Sequence, residues 1–209
     1  MSSAAAGEPT HADGAPAATD RDAAWVVLQT RWTATDLALW LTDVRRLYRI
    51  NPFLEITLWQ HNSPGHFHAR LFNHSNGQAA ELIASLDWLD DMTLQVNYAS
   101  GIKQSTRFAI ETIVGGSRLT ITDEYVRGIT IAPEQVDRSL HAWGVAMAGY
   151  LARDRRWGWL PLYRWFMEKV WLPMKPSARR ITFIVLVISL ADIALIALGF
   201  TIYWLEFAG

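Results

Sequence analysis

Between residues 24 and 125, hydrophobic and polar positions alternate in short runs, a pattern that predicts strands with one buried face. Turn-forming segments separate the runs at hairpin spacing, for example before Gly65 and at the Gly115 to Ser117 turn. Consecutive short strands at this spacing predict an antiparallel sheet. The seven predicted strands are 24–32, 53–60, 66–72, 79–86, 93–98, 106–114 and 119–125.

The period changes to that of a helix at two places. After the first strand, Thr33 and Asp36 resemble the start of a capping box, and Pro52 disfavours helical geometry before it. We therefore expect one or two short helices between them. After the last strand, Pro133 is well placed to begin a long helix that continues to about Arg156.

The long helix has one apolar stripe, which includes Trp143 and Met147. A seven-stranded sheet has one broad face to bury, and this is the long amphipathic helix that can cover it. The order of the elements therefore predicts an α+β fold in which a seven-stranded antiparallel sheet wraps around a long C-terminal helix.

A continuous apolar segment from Ile181 to Trp204 is long enough, as a helix, to cross the hydrocarbon core of a bilayer. We interpret it as a single transmembrane helix that anchors a folded domain by its C-terminal end. The predicted organisation is a disordered tail at 1–22, a folded domain at 23–156, an interfacial aromatic and basic segment at 157–176 and a transmembrane helix at 177–205.

Charge is distributed unevenly along the 209 residues, although the formal net charge is only −1. Residues 152–180 contain eight Lys or Arg against two acidic residues, whereas Glu206 is the one charge beyond Trp204. The positive-inside rule then predicts a single-pass protein of the inner (cytoplasmic) membrane with its domain in the cytoplasm. A basic block beside the membrane also favours anionic lipid head groups as partners.

The segment before the transmembrane helix interleaves aromatic and basic residues. That combination can bind single-stranded nucleic acid, but next to a transmembrane helix it is typical of the head-group layer. We therefore expect membrane contact and no nucleic-acid partner. The predicted membrane-interface residues are Trp157, Trp159, Trp165, Trp171, Arg179 and Arg180.

Asp192 lies near the middle of the predicted span, where an ionised carboxylate is costly. Ser189 and Gly199 fall on the same helical face, and small or polar residues on one face are typical of helix contacts in lipid. We expect Asp192 and Ser189 to contact a membrane-protein partner or a second copy of the chain. The alternative is a protonated Asp192 without a role.

Candidate chemistry is sparse. The chain has no cysteine, which excludes disulfides, thiolate zinc sites and thiol nucleophiles, and it contains no phosphate-binding loop, dinucleotide fingerprint or nucleophile elbow. His66 and His68 are weighed as metal ligands, but a solvated hairpin is the preferred interpretation and no metal is predicted. The stretch from Asp87 to Asp91 is interpreted as an acidic turn rather than an acid–base pair. No cofactor and no catalytic residue are predicted.

Three segments resemble the START-like (SRPBCC) superfamily of polyketide cyclase/dehydrase and lipid-transport proteins, the Bet v 1-like helix-grip fold. They are the opening WVVLQTRWTAT, the stretch RFAIETIVGGSRLTITDEYVRG with its GGSRLTITDEY hairpin, and the helix after Pro133. The resemblance covers about residues 24–156. It implies a helix-grip domain that holds a hydrophobic molecule between sheet and helix, and it supplies no catalytic motif.

Polar side chains on a mostly apolar strand face can orient a ligand in such a cavity. Surface ion pairs and ordinary packing would give the same residues, and both alternatives stay open. The candidates for the cavity wall are Arg107, Asp123, Tyr125, Trp143 and Met147.

These observations favour membrane-tethered binding or transfer of a lipid, quinone or polyketide-like molecule. One alternative is a cyclase or dehydratase that acts in the same cavity. Another is an accessory subunit of a membrane complex that docks through Asp192.

Overall fold

The computed structural model describes residues 23–126 and 133–207, and it leaves out the side chains of 133–138. The predicted tail at 1–22 lies outside these ranges. The strands are β1 (Ala23–Thr30), β2 (Leu54–Ser63), β3 (His66–Asn73), β4 (Gln78–Asp90), β5 (Thr93–Tyr98), β6 (Lys103–Ile113) and β7 (Gly116–Tyr125). The α-helices are α1 (Ala34–Leu41), α2 (Val44–Ile50), α3 (Pro133–Trp157), α4 (Pro161–Phe166) and α5 (Pro176–Phe207), and a π-helical segment (Met167–Trp171) lies between α4 and α5.

The seven strands form one sheet in the order β1-β7-β6-β5-β4-β3-β2, with every neighbouring pair antiparallel. Strands β2 to β7 therefore form a meander, and β1 joins the far edge beside β7. The turns between them need left-handed backbone at their glycines, such as Gly65 with φ 74° and Gly115 with φ 83°. This arrangement with α3 confirms the predicted α+β helix-grip architecture.

The two short helices that join β1 to β2 begin and end as their residues require. The Thr33 side chain caps α1 by accepting a hydrogen bond from the backbone N–H of Asp36. Asp43 caps α2 in the same way, and α2 ends at Ile50, two residues before Pro52.

Helix α3 packs against the inner face of the sheet. Gly144 allows a close approach to β1, because a Cβ atom at this position would lie 2.8 Å from the side chain of Val26. Trp143, Met147 and Leu151 are fully or almost fully buried on the packed face of the helix. The predicted apolar stripe therefore covers the sheet.

Strand β4 differs from the prediction. We expected it to end at Leu86 and to be followed by an acidic turn, but it continues to Asp90. Asp87 pairs with Gln95 of β5, and a register shift falls between Trp88 and Asp90. Cross-strand pairing with β5 therefore outweighs the low strand propensity of aspartate.

Among the described residues, α5 alone is long and apolar enough to cross a membrane. Its apolar window is fully exposed on the outside of the protein. The helix spans Pro176–Phe207 and so contains the predicted span.

Candidate functional site

Polar side chains come together on the inner, otherwise apolar face of the sheet. Strand register places Thr106 of β6 directly beside Asp123 of β7. Thr106 also pairs with Val96 of β5, so Tyr98 lies on the same face two residues further along. Alternation thus brings three polar residues from three adjacent strands into one row.

Hydrogen bonds join these residues into a continuous chain that reaches α2. The hydroxyls of Tyr48 and Tyr98 lie 2.5 Å apart. The Tyr98 hydroxyl is 2.9 Å from Thr106 Oγ1, and Thr106 Oγ1 donates to Asp123 Oδ1 at 2.5 Å. We call Tyr48, Tyr98, Thr106 and Asp123 the interior polar chain.

The carboxylate of Asp123 is 1% exposed and is neutralised by Lys103 Nζ, which donates to Oδ2. The Tyr125 hydroxyl donates to the same oxygen at 3.3 Å. The Lys103 side chain is 35% exposed, so this end of the interior polar chain reaches the protein surface. Tyr48, at the other end, is buried.

Burial sets the protonation states of these groups. It raises the pKa of the Tyr48 hydroxyl well above its usual value, helped by Tyr98 and Asp123. Burial also raises the pKa of Tyr98, against the opposing effect of Lys103. Burial alone would lower the pKa of Lys103, but the Asp123 carboxylate more than compensates and raises it. At neutral pH the tyrosines are therefore neutral and Lys103 is charged, so each can donate a hydrogen bond.

Aromatic rings surround the deep end of the chain. The Tyr48 ring lies 5.9 Å from Trp59, 6.2 Å from Phe67 and 5.8 Å from Trp143. Trp59 and Phe67 stack at 4.4 Å with their planes 12° apart. An apolar environment with a few fixed hydrogen-bonding groups is chemically suited to a ring system or hydrocarbon that has one polar end.

The structure places four of the five expected cavity residues inside the domain. Asp123 and Tyr125 belong to the hydrogen-bonded cluster described above. Trp143 and Met147 lie on the buried face of α3, where the Trp143 indole donates to the Leu47 carbonyl at 2.9 Å.

Arg107 lies on the opposite face of β6. Its guanidinium donates to Gln95 Oε1 at 3.3 Å and lies 3.5 Å from Glu124. These contacts correspond to a surface ion pair, which was the alternative interpretation of Arg107. Arg107 therefore does not contribute to the interior polar chain.

Tyr48, Tyr98, Lys103 and Thr106 were not among our candidates. The sequence contains a signal for two of them. Tyr98 continues the alternation that points Leu94 and Val96 inward, and Thr106 lies two residues before the inward Phe108. Tyr48 lies in a helix and Lys103 lies at the start of a strand. In neither place does an alternation of apolar and polar residues indicate which side chains point inward.

The histidine and aspartate clusters have ordinary structural partners. His68 lies 2.6 Å from Glu81, and His74 lies 2.9 Å from Glu55. Asp90 accepts a hydrogen bond from the Met92 backbone at 2.7 Å, as expected of a turn residue. Within the described ranges, no group of three or more His, Cys, Asp or Glu could hold a metal ion.

Cavities of about 440 and 410 Å³ lie outside the sheet interior and are lined by helices and connecting segments. We expected a cavity between the sheet and α3. In that space the rings of Phe108 and Trp143 meet edge to face at 5.8 Å. The space between the sheet and α3 is therefore lined by packed aromatic side chains.

The expected membrane-interface residues divide into two groups. Trp157, Trp159 and Trp165 are exposed, and Trp159 is 75% exposed. Trp171 instead packs partly against the core, and Arg179 points back towards the domain. Arg180, Ser189 and Asp192 are exposed on α5.

No family model matches the chain, and no curated protein matches it. Solved structures resemble its fold. TTHA0849 from Thermus thermophilus is 11% identical with a TM-score of 0.49, over 63% of this chain and 97% of that one. The Zhui aromatase/cyclase from Streptomyces sp. R1128 is 19% identical with a TM-score of 0.49, over 64% of this chain and 95% of that one. Ara h 8.0201 is 15% identical with a TM-score of 0.41, over 63% and 97%. At these identities and TM-scores, neither a ligand nor a reaction carries over to this chain.

Proposed function

We propose that this chain is a membrane-tethered domain that binds a hydrophobic small molecule with a polar end, such as a lipid, a quinone or a polyketide-like compound. The observation that supports this function is the interior polar chain, which runs from the buried Tyr48 to Asp123, the ion-pair partner of the partly exposed Lys103. Its hydroxyl donors would orient the polar end of the ligand.

Stability alone does not explain such a chain. Replacing a buried ion pair by apolar residues of similar size is often neutral or stabilising, so the Lys103–Asp123 pair is a poor device for stability. Polar groups at fixed positions on an apolar wall are the usual means by which a binding site orients a ligand. Ligand recognition therefore supplies the role that stability does not.

Entry would be beside Trp59 and Tyr98, which lie next to Tyr48. Both are only half-buried, in contrast to Phe67 and Phe108. A flat apolar ligand could replace ring contacts such as Trp59 on Phe67 with ring–ligand contacts of similar geometry.

The membrane placement is part of the proposal. Helix α5 would cross the cytoplasmic membrane with the domain on the cytoplasmic side, and the exposed Trp157, Trp159 and Trp165 would lie in the head-group layer. The connection between α3 and α5, which contains α4 and the π-helical segment, would keep the domain at high effective concentration over the bilayer. A ligand taken from the membrane would then travel only a short distance.

The test is mass spectrometry of small molecules that remain bound to the full-length chain after purification in mild detergent. We expect the unmodified chain to retain an apolar compound, and Tyr98→Phe to retain less, because the hydroxyl that continues the interior polar chain is gone. Tyr163→Phe is the matched control, since Tyr163 is half-buried like Tyr98 but lies outside this chain and lines neither cavity. Equal retention by both variants would contradict a role for the interior polar chain.

A second candidate is a cyclase or dehydratase that acts on a polyketide-like substrate. The supporting observation is that neutral phenols and Thr106 connect Tyr48 to the Asp123 carboxylate, an arrangement through which a proton can be passed. Turnover of a ligand identified by the first experiment, lost in Asp123→Asn but not in Arg107→Gln, would favour this enzyme over a carrier.

A protein contact through α5 is a separate proposal. Asp192 and Ser189 lie on an exposed helix, and in a bilayer the carboxylate would need a partner or a proton. We expect a co-purifying membrane protein or a second copy to be lost from Asp192→Leu, whereas an unchanged complex would exclude this contact.

A further inference from the structure

A cavity of about 410 Å³ lies where the folded domain meets α5. The end of α2, one side of α3, the π-helical segment and the first turn of α5 form its walls. Ile50, Val145 and Leu172 supply apolar surface. Three arginines, Arg153, Arg179 and Arg180, are the charged residues among the described side chains that line it.

Arg179 is held in place by backbone carbonyls. It donates to Arg49 O at 2.8 Å, to Leu172 O at 2.8 Å and to Met174 O at 3.0 Å. These bonds use three of the five N–H donors of a guanidinium. No carboxylate of the described part of the chain forms an ion pair with it.

The charge of Arg179 is therefore hydrogen-bonded but not neutralised. Burial, together with the nearby Arg49, lowers the pKa of Arg179 to about 10. The guanidinium is still protonated at neutral pH. A fixed, partly buried cation of this kind attracts an anion into the cavity.

The other two arginines border the same cavity. The Arg153 guanidinium lies along α3 against Gly149, 3.3 Å from the point where a Cβ of Gly149 would be. The Arg153 guanidinium therefore lies beside the cavity. Arg180 is exposed and follows Arg179 at the start of the apolar helix.

We propose that this cavity binds one anionic phospholipid, with its phosphate held by Arg153 and Arg180 beside Arg179. The glycerol part would contact Ile50, Val145 and Leu172, and the acyl chains would continue along the exposed apolar surface of α5. This inference rests on the proposed membrane placement of α5, and it concerns a site separate from the interior polar chain.

Two features favour a phospholipid over a free anion. The cavity has an apolar wall, which a free phosphate would not use, and it lies beside a helix whose apolar window is entirely exposed. Arginine binds phosphate through paired N–H donors, which holds the group in a defined orientation. Charge and apolar surface together match the two halves of one lipid molecule.

The test uses the full-length chain in nanodiscs of phosphatidylcholine and phosphatidylglycerol, transferred to mild detergent for native mass spectrometry. We expect one phosphatidylglycerol to be retained in preference to phosphatidylcholine. The double variant Arg153→Gln/Arg180→Gln should lower this retention roughly tenfold or more, because it removes charge-assisted hydrogen bonds to the phosphate.

The matched control is Arg156→Gln/Lys169→Gln, which removes two charges of the same basic block outside the cavity. Non-specific attraction to an anionic surface would weaken both double variants alike, because each loses two positive charges. Equal losses in the two double variants would therefore overturn the site. Thermal denaturation of each variant confirms that a loss of lipid is not a loss of folding.

Two further outcomes separate the possible errors. The first outcome concerns competition by inorganic phosphate in detergent. If inorganic phosphate displaces bound phosphatidylglycerol as effectively as added phosphatidylglycerol does, the occupant of the cavity is not a lipid. A chain that enters nanodiscs but retains no phosphatidylglycerol would overturn this inference and leave the membrane placement standing. A chain that does not enter nanodiscs would overturn both.

Discussion

Lys103 in β6 and Arg179 at the start of α5 are both cations drawn into the protein, but their surroundings differ. Lys103 meets the carboxylate of Asp123, so its charge is neutralised within the domain. Arg179 meets three backbone carbonyls instead. The comparison shows that a buried cation can have its hydrogen bonds satisfied without having its charge compensated.

The two environments move the pKa values in opposite directions. Asp123 raises the pKa of Lys103 against the effect of burial, whereas burial and Arg49 lower that of Arg179. Both side chains are protonated at neutral pH. The charge of Lys103 is thus stabilised by the fold, while the charge of Arg179 is carried at a cost that an external anion would offset.

The largest expected effect comes from breaking the neutralised pair. Asp123→Asn leaves Lys103 without its countercharge and disturbs the bonds from Thr106 and Tyr125. We expect a loss of about 3 kcal/mol in the free energy of unfolding, near the lower end for a broken buried pair because Lys103 can turn to solvent. Chemical denaturation of the full-length chain in detergent, followed by tryptophan fluorescence, measures it.

Glu111→Gln is the control for this substitution. It breaks the pair between Glu111 and Arg118, 2.7 Å apart on the outer surface. An exposed pair contributes less than about 1 kcal/mol, so the two losses should differ clearly. Similar losses would show that Asp123 is not held in a low-dielectric interior.

The second largest effect is expected at Arg179, whose hydrogen bonds are accepted by backbone carbonyls. Arg179→Gln removes the contact from α5 to the end of α2 at Arg49, and we expect a loss of about 2 kcal/mol in the free energy of unfolding. Cleavage by a protease between Leu172 and Pro176 should also become faster. Arg180→Gln, one residue on and exposed, should change stability by less than about 0.5 kcal/mol.

The sequence predicts the surroundings of the Lys103–Asp123 pair better than those of Arg179. Strand alternation places Asp123 and Tyr125 on the buried face of β7, and the structure confirms that both are buried. The same alternation, applied to β6, assigns Arg107 to the face opposite Phe108, which is where it lies. The inward positions of this part of β6 are Thr106 and Phe108, so the expectation that Arg107 lines a cavity fails on its strand face.

The surroundings of Arg179 could not be predicted from the sequence. Its three acceptors are carbonyls of Arg49, Leu172 and Met174, and any residue type could supply them. The sequence shows only an arginine before an apolar helix, which is typical of the head-group layer. The position of a helix end beside another helix depends on tertiary packing, for which the local pattern contains no signal.

A third prediction concerns alkaline pH. The raised pKa values of Lys103, Tyr48, Tyr98 and Tyr125 mean that the folded chain keeps protons which the unfolded chain releases above about pH 10. Stability from these groups is therefore fully present below that pH and is lost as the pH rises further.

Between pH 10 and pH 11, one buried phenol contributes a loss of about 1 kcal/mol. Arg179 has the opposite sign, since a lowered pKa makes the folded state gain stability as its proton is released. Denaturation of Tyr48→Phe across this pH range separates the contribution of the phenol from that of Arg179. The variant should lose less stability than the unmodified chain, and an identical pH dependence would contradict a buried, neutral Tyr48.

The smallest effect expected is at the link between the phenols and the carboxylate. Thr106→Val keeps the side-chain shape but removes the hydroxyl that donates to Asp123 and contacts Tyr98. We expect a loss of about 1 kcal/mol, the contribution of one buried hydrogen bond, because Lys103 and Tyr125 still satisfy the other carboxylate oxygen. Thr122→Val, on the outer face of β7, should change the free energy of unfolding by less than about 0.5 kcal/mol. A Thr106→Val chain as stable as the Thr122→Val chain would contradict a stabilising hydrogen bond from Thr106 to the buried carboxylate.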